Sequence, residues 1–293
     1  MKRLVLVYNP VSGHATFKNK LDGIIEAFQK RDCMLLIYRT KKDHNDDLEA
    51  FLREAQAEGV LVAGGDGTLH QVVNLMVKAG ISLPLGIFGS GTSNDFASHL
   101  GINEDIEAYF DAIAAGKTRF VDLGKVGEEY FVNVASAGMM TSIAHEVDAR
   151  LKNTMGKLAY YLKGLGELPK FRTMPLKLTA DGTRYELEAF LFVIANSPVV
   201  ASMKNVAEEA KVDDGKLDFL AMKKCNVADF MKVAAELVAG KPVSGKKSVL
   251  HLQAARFEVS TEGAVRSDLD GEEGPVLPLV VEVVPRGLEV YCL

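Results

Sequence analysis

The feature that most constrains this chain is a change of rhythm near Phe120. Before it, short apolar runs alternate with stretches whose apolar residues recur at helical spacing; after it, nearly every apolar run reads as a strand. The opening run "RLVLVYN" (Arg3–Asn9) reads as a buried strand. Phe17–Lys30 reads as a helix carrying Phe17, Leu21, Ile24, Ile25 and Phe28 on one face. "CMLLIYRT", a helix over Asp46–Ala57, "GVLVAG", a helix over Thr68–Ala79 and "LPLGIFG" continue the alternation. Strands and helices joined by short connections predict a parallel sheet covered on both faces, and in such sheets ligands bind beyond the carboxyl ends of the strands.

The later runs, among them "FVDLGKV", "EYFVNVAS", "YELEAFLFVIAN", "SVLHLQAARFEVS", "AVRSDLD" and "LVVEVV", predict an antiparallel β domain of two packed sheets. Helical patterns interrupt it at about 141–168 and over Val227–Ala239, and "GLEVYCL" reads as one more strand that either domain could take. A chain of 293 residues fits two domains. The change of pattern sets them at 1–121 and 122–285.

Within the first domain, "LVAGGDGTLHQVVN" sets Gly64, Gly65, Asp66 and Gly67 between a strand and a helix. Glycines let backbone N–H groups converge on phosphate oxygens, and a helix N-terminus adds partial positive charge. Asp66 would repel a phosphate unless a cation such as magnesium bridges the two. The same four residues could also be a turn in which Asp66 caps the helix. "NPVSG" (Asn9–Gly13) and "GSGTSNDFA" (Gly89–Ala97) end two further strands with small and polar residues. Three such loops on one sheet predict a nucleotide site. Other nucleotide motifs fail: "DAIAAGKT" lacks the first glycine of a P-loop, and "GSGTSN" lacks the third of the dinucleotide fingerprint.

Two acidic turns lie in the second domain. "SDLDGEEG" (Ser267–Gly274) offers Asp268, Asp270, Glu272 and Glu273, either as catalytic carboxylates or as an ordinary Asp-Gly hairpin. "AKVDDGKLDF" (Ala210–Phe219) is a turn whose Asp214 could hold a hard cation with neighbouring carbonyls. A net charge of −5 argues against nucleic acid as partner. The sparse cysteines, Cys33, Cys225 and Cys292, point to a reducing compartment. No run approaches the roughly 18 consecutive apolar residues of a membrane span, so a cytoplasmic protein is expected. His145–Arg172 carries six Lys/Arg and three Asp/Glu among leucines and tyrosines. It reads either as a membrane-surface helix or as one packed on the β domain.

Taken in order, "NPVSG", "GGDGT", "GTSNDFA", "DDGKLD" and "LDGEEG" resemble the diacylglycerol kinase catalytic-domain family, and within it the bacterial soluble lipid kinases. The resemblance implies a Rossmann-like α/β domain with a parallel sheet, followed by an antiparallel β-sandwich that handles the lipid. ATP would bind in the cleft between them, and the last strand, about 286–293, would return to the first domain. It places ATP contacts on Asn9, Pro10, Val11, Ser12, Gly13, Thr40, Gly64, Gly65, Asp66, Gly67, Thr68 and Thr92. The catalytic base falls on Glu272 with Asp270 beside it, and a magnesium site on Asp214 with the carbonyls of Lys211 and Lys216. The activity implied is transfer of the γ-phosphate of ATP to a lipid hydroxyl at the inner face of the membrane. Diacylglycerol is the first expectation. A sphingoid base, phosphatidylglycerol or NAD as acceptor, and a nucleotide-binding regulator without turnover, are the alternatives; a homodimer is left open. Two positions depart from the family pattern. His70-Gln71 replace an Asn-Glu pair, and Ala201-Ser202 replace a Gly-Gly pair ahead of "DDG".

Overall fold

Runs that are apolar on both faces become the inner strands of a parallel sheet. A computed structural model describes residues 1–12, 20–41, 45–89, 95–102, 105–138 and 173–293. In it β1 (Lys2–Tyr8) buries Leu4, Val5, Leu6 and Val7 completely. There follow α1 (Leu21–Gln29), β2 (Cys33–Arg39), α2 (Leu48–Glu54), β3 (Gly59–Gly64), α3 (Asp66–Lys78), β4 (Leu85–Gly89), α4 (Asp95–His99), α5 (Ile106–Ala115) and β5 (Thr118–Val126). The strands order β4-β3-β1-β2, and each of these pairs is parallel. Tyr8 lies beside Arg39 and Ala63, and Gly64 beside Gly89, so all four carboxyl ends finish along one edge. Phe28 of α1 meets Phe110 of α5 edge-on at 5.1 Å, and Phe88 of β4 meets Tyr109 at 5.8 Å. These rings fix the helices to the sheet. The expected start of α1 at Phe17 lies outside the described residues, as does the helical insertion expected at 141–168.

The second half runs β6 (Glu129–Phe131), β7 (Val134–Gly138), β8 (Met174–Ala180), β9 (Thr183–Ala195), β10 (Leu217–Lys223), α6 (Val227–Val238), β11 (Val249–Ala254), β12 (Arg256–Thr261), β13 (Arg266–Leu269), β14 (Glu272–Val276) and β15 (Leu279–Tyr291). β9 gives its first half to β8 and its second half to β7 and β10, every pair antiparallel. Phe192, Phe219 and Phe257 form the centre of its core, with successive centroids 5.4 and 5.6 Å apart. A second apolar group, including Phe190, Val206, Leu220 and Val233, packs under α6.

Three elements differ from the sequence reading. "EYFVNVAS" divides into β6 and β7 because the N–H groups of Val132, Asn133 and Val134 turn to the Asp270 carboxylate. "SVLHLQAARFEVS" divides at Ala255, where Asp181 accepts the N–H groups of Ala255 and Arg256. "LVVEVV" and "GLEVYCL" are instead one strand, β15. Its start pairs antiparallel with β12 and its end, at Val290, parallel with Leu85 of β4. The described residues form two compact units, Met1–Asp122 with Arg286–Leu293, and Leu123–Pro285.

Candidate active site

In the first unit the strand ends are tied together by side chains as well as by the sheet. Asn9, just past β1, donates its N–H to the Ala63 carbonyl at 2.8 Å and its Nδ2 to Thr68 Oγ1 at 3.0 Å. Its Oδ1 accepts the Val11 N–H at 3.1 Å, which curls Asn9, Pro10, Val11 and Ser12 into a turn. Thr40, past β2, donates its N–H to Tyr8 at 3.0 Å. Helix α3 begins at Asp66, two residues before the expected Thr68, with Gly65 as its N-cap. Asp66 and Gly67 are therefore its first turn, where backbone N–H groups lack intrahelical acceptors and the helix end carries partial positive charge. Gly64 is glycine for a local reason: a Cβ there would lie 2.5 Å from Thr68 Cβ. Its lack of a side chain thus serves the Thr68–Asn9 contact. A depression at this edge is lined by Gly64, Gly65, Asp66, Leu69, Gly89 and Ala97. Gly13 and Thr92 lie outside the described residues. Of the two departures at α3, His70 is buried and its carbonyl accepts from Asn74 Nδ2 at 3.0 Å, while Gln71 faces solvent.

In the second unit, β13 and β14 form the hairpin Ser267–Gly274 around a two-residue turn. Asp270 and Gly271 both have positive φ, 53° and 92°, which only Gly, Asn and Asp adopt readily. Asp268 Oδ1 accepts the Gly271 N–H at 2.8 Å. Asp270, 8% exposed, accepts from Val132 at 2.7 Å and from Asn133 and Val134 at 2.9 Å. Glu273 pairs with Arg266. Glu272 is exposed, and its carboxylate has no hydrogen-bond or ion-pair partner among the described residues.

The Asp214 turn precedes β10. Asp214 Oδ1 accepts the Lys216 N–H at 3.1 Å, and Gly215 takes φ 73°. Lys211, Asp214 and Lys216 are all exposed. Among the described residues no group of three or more His, Cys, Asp or Glu side chains gathers to hold a metal. A cation at Asp214 would therefore draw on backbone carbonyls, as hard cations accept. Beneath the turn, buried Asp218 lies 2.6 Å from His251 Nε2 and accepts Gln253 Nε2 at 3.1 Å. The hydrogen bond to Asp218 raises the His251 pKa, outweighing burial, which lowers it.

Besides Asp218, two more buried carboxylates escaped the sequence reading. Asp122, 1% exposed, accepts the Arg286 N–H at 2.8 Å and ties β5 to the middle of β15. A lone acid inside the apolar run "FVDLGKV" was the available signal. Asp95, 5% exposed, opens α4 inside a motif that was read for its glycines.

This arrangement has relatives. A family model described as the diacylglycerol kinase catalytic domain matches residues 3–126. One described as the YegS C-terminal NAD kinase beta sandwich-like domain matches residues 133–292. A diacylglycerol kinase from Bacillus subtilis (strain 168) is 34% identical over 282 residues, 95% of this chain and 92% of its own. The chain belongs to the diacylglycerol kinase family. Another member, a diacylglycerol kinase from Staphylococcus aureus (strain JH9), is 32% identical over 291 residues, 99% of this chain and 92% of its own. A crystal structure of a diacylglycerol kinase from Bacillus anthracis superposes with a TM-score of 0.77 at 26% identity, covering 100% of this chain and 97% of that one. The chain is thus a kinase, an ATP-dependent lipid kinase of the diacylglycerol kinase family, with an α/β first domain and a β-sandwich second. No helix among the described residues is long and apolar enough to cross a membrane.

Proposed function

We propose that this family member phosphorylates the free hydroxyl of diacylglycerol, with Glu272 as the general base. One observation carries the assignment of the base. Four acids stand in Ser267–Gly274; three of them, Asp268, Asp270 and Glu273, hold hydrogen-bond or ion-pair partners, and Glu272 alone is exposed and unpaired among the described residues. A carboxylate within reach of the acceptor hydroxyl takes its proton as the oxygen–phosphorus bond forms and ADP departs. General-base help of this kind contributes ~10²–10⁴-fold.

ATP is assigned to the loops at the carboxyl ends of the first-unit strands: Asn9–Gly13, Thr40, Gly64–Thr68 and Thr92. The first-turn N–H groups of α3 face an anion favourably. Asp66 suits a magnesium ion shared with the phosphates, and Asp214 with the carbonyls of Lys211 and Lys216 suits a second, structural one. Magnesium bound beside the phosphates would neutralise charge developing on the transferred group. Asp270 belongs to the scaffold of the hairpin rather than to proton transfer, because both of its oxygens already accept backbone N–H groups. A cytoplasmic enzyme reaching diacylglycerol must dock on the inner membrane face, and the basic, apolar stretch His145–Arg172 suits that contact.

The test uses γ-labelled ATP and magnesium with vesicles carrying diacylglycerol, a sphingoid base or phosphatidylglycerol, and with NAD in solution. Label is expected in phosphatidic acid. Faster labelling of another acceptor would replace diacylglycerol, and ATP binding with no labelled product in any arm would make the chain a nucleotide-binding regulator. Buried His70 and solvent-facing Gln71 leave the loop glycines in place, so they do not favour that second reading.

A further inference from the structure

Between β6 and β7 the chain gives up strand pairing at Val132–Asn133 and replaces it with buried side chains. Asn133, 7% exposed, uses both of its backbone groups and both ends of its side chain. Its N–H goes to Asp270 Oδ1 at 2.9 Å, and its carbonyl accepts the Asn196 N–H at 2.8 Å. Its Nδ2 donates to the Val199 carbonyl at 2.9 Å, and its Oδ1 accepts the hydroxyl of Ser197. The Asn196 side chain donates in turn to the Val132 carbonyl at 2.8 Å. Asn196 and Ser197 are fully buried.

An apolar strand could have filled this place at less risk, since a buried polar group left unsatisfied is destabilising. With both backbone groups and both ends of its side chain engaged, Asn133 is held in one geometry. What Asn133 holds in turn is the carboxylate of Asp270, and through it the turn from which Glu272 projects two residues later. We propose that Asn133, with Ser197 behind it, is a positioning residue for phosphoryl transfer, setting Glu272 through Asp270. The inference rests on the reading of Glu272 as the base. It also gives the broken strand a purpose, because a displacement of about 1 Å at a catalytic group can cost on the order of 10²-fold in rate.

The test is a double-mutant cycle on the full chain, with ATP and diacylglycerol vesicles. Asn133→Ala is expected to lower kcat by ~10-fold or more while KM for ATP stays unchanged. In a Glu272→Gln background the same change should cost nothing further, because there is no base left to position. A folded Asn133→Ala with wild-type kcat overturns the proposal. So do losses that multiply in the double mutant, which mark general destabilisation. Should Asn133→Ala fail to fold, Ser197→Ala carries the same cycle, since it removes one donor and keeps both backbone bonds of Asn133. The two readings separate cleanly. Full turnover in Glu272→Gln alone sinks the base and this inference together; a slow Glu272→Gln beside an unimpaired Asn133→Ala or Ser197→Ala sinks this inference alone.

Discussion

The turns at Asp181-Gly182 and Asp270-Gly271 are built on one plan. Each joins two antiparallel strands through two residues of positive φ, 44° and 86° in the first, 53° and 92° in the second. In each, the aspartate reaches to a neighbouring segment where a long apolar run breaks. Asp181 accepts from Ala255 at 3.1 Å and Arg256 at 2.9 Å, and returns its own N–H to Arg256 at 3.0 Å. Asp270 accepts three N–H groups and returns its own to Val134 at 2.9 Å. The surroundings differ. Asp181 is exposed and is followed by Gly182 and Thr183; Asp270 is buried, bonded to Asn133, and is followed by Gly271 and by Glu272, whose carboxylate has no partner among the described residues. With Glu272 as the proposed base, the same clamp serves as plain architecture in one place and as a mount for chemistry in the other. An Asp-Gly turn alone does not tell which.

Changing both aspartates separates the two. Asp270→Asn should have the largest effect: one acceptor is lost against three buried donors, about 2–4 kcal/mol of stability, and turnover falls by ~10-fold or more as the hairpin shifts. Denaturant melts and vesicle kinetics read the two effects separately. Asp181→Asn should cost about 1–2 kcal/mol at its exposed turn and leave kcat at the wild-type value; equal losses of turnover in both variants would erase the distinction. A third Asp-Gly turn sharpens the comparison. Asp214 accepts the Lys216 N–H inside its own exposed turn, so Asp214→Ala should lose only ~0.5–1 kcal/mol in chelator, yet abolish any rise in melting temperature on adding magnesium. An unchanged magnesium response would leave Asp214 an ordinary turn. The smallest effect is a gain. Val200 and Met203 exchange backbone hydrogen bonds around Ala201 and Ser202, whose φ values of 52° and 65° suit glycine. Ser202→Gly should stabilise by about 0.5–1 kcal/mol, because a Cβ is disfavoured there; a loss would show that the serine hydroxyl outweighs that strain.

The parallel sheet was legible because strands buried on both faces leave continuous apolar runs, such as Leu4–Val7. The loops were legible through their glycines, although Gly64 is explained by Thr68 as directly as by any ligand. The start of α3 was misplaced because Gly-Asp-Gly reads as a turn, whereas Gly65 caps and Asp66 already belongs to the helix. The breaks after β6 and β11 left no local mark, since the carboxylates that cause them lie 138 and 74 residues away in sequence. Continuity of β15 was hidden by Pro285 and Gly287, which punctuate the run without ending the strand. The scaffold under Glu272 was illegible for the same reason as the breaks: Asp270, Asn133 and Ser197 become neighbours only through the fold.

The claim at the centre of this account is that Glu272 takes the proton of the lipid hydroxyl. Glu272→Gln preserves shape and hydrogen bonding and removes the base. Steady-state phosphorylation of diacylglycerol in vesicles, with ATP binding measured separately, should show kcat reduced by at least ~10²-fold and ATP affinity unchanged, since the loops assigned to ATP belong to the first unit. A variant that keeps most of its turnover, or that loses ATP binding instead, would contradict it.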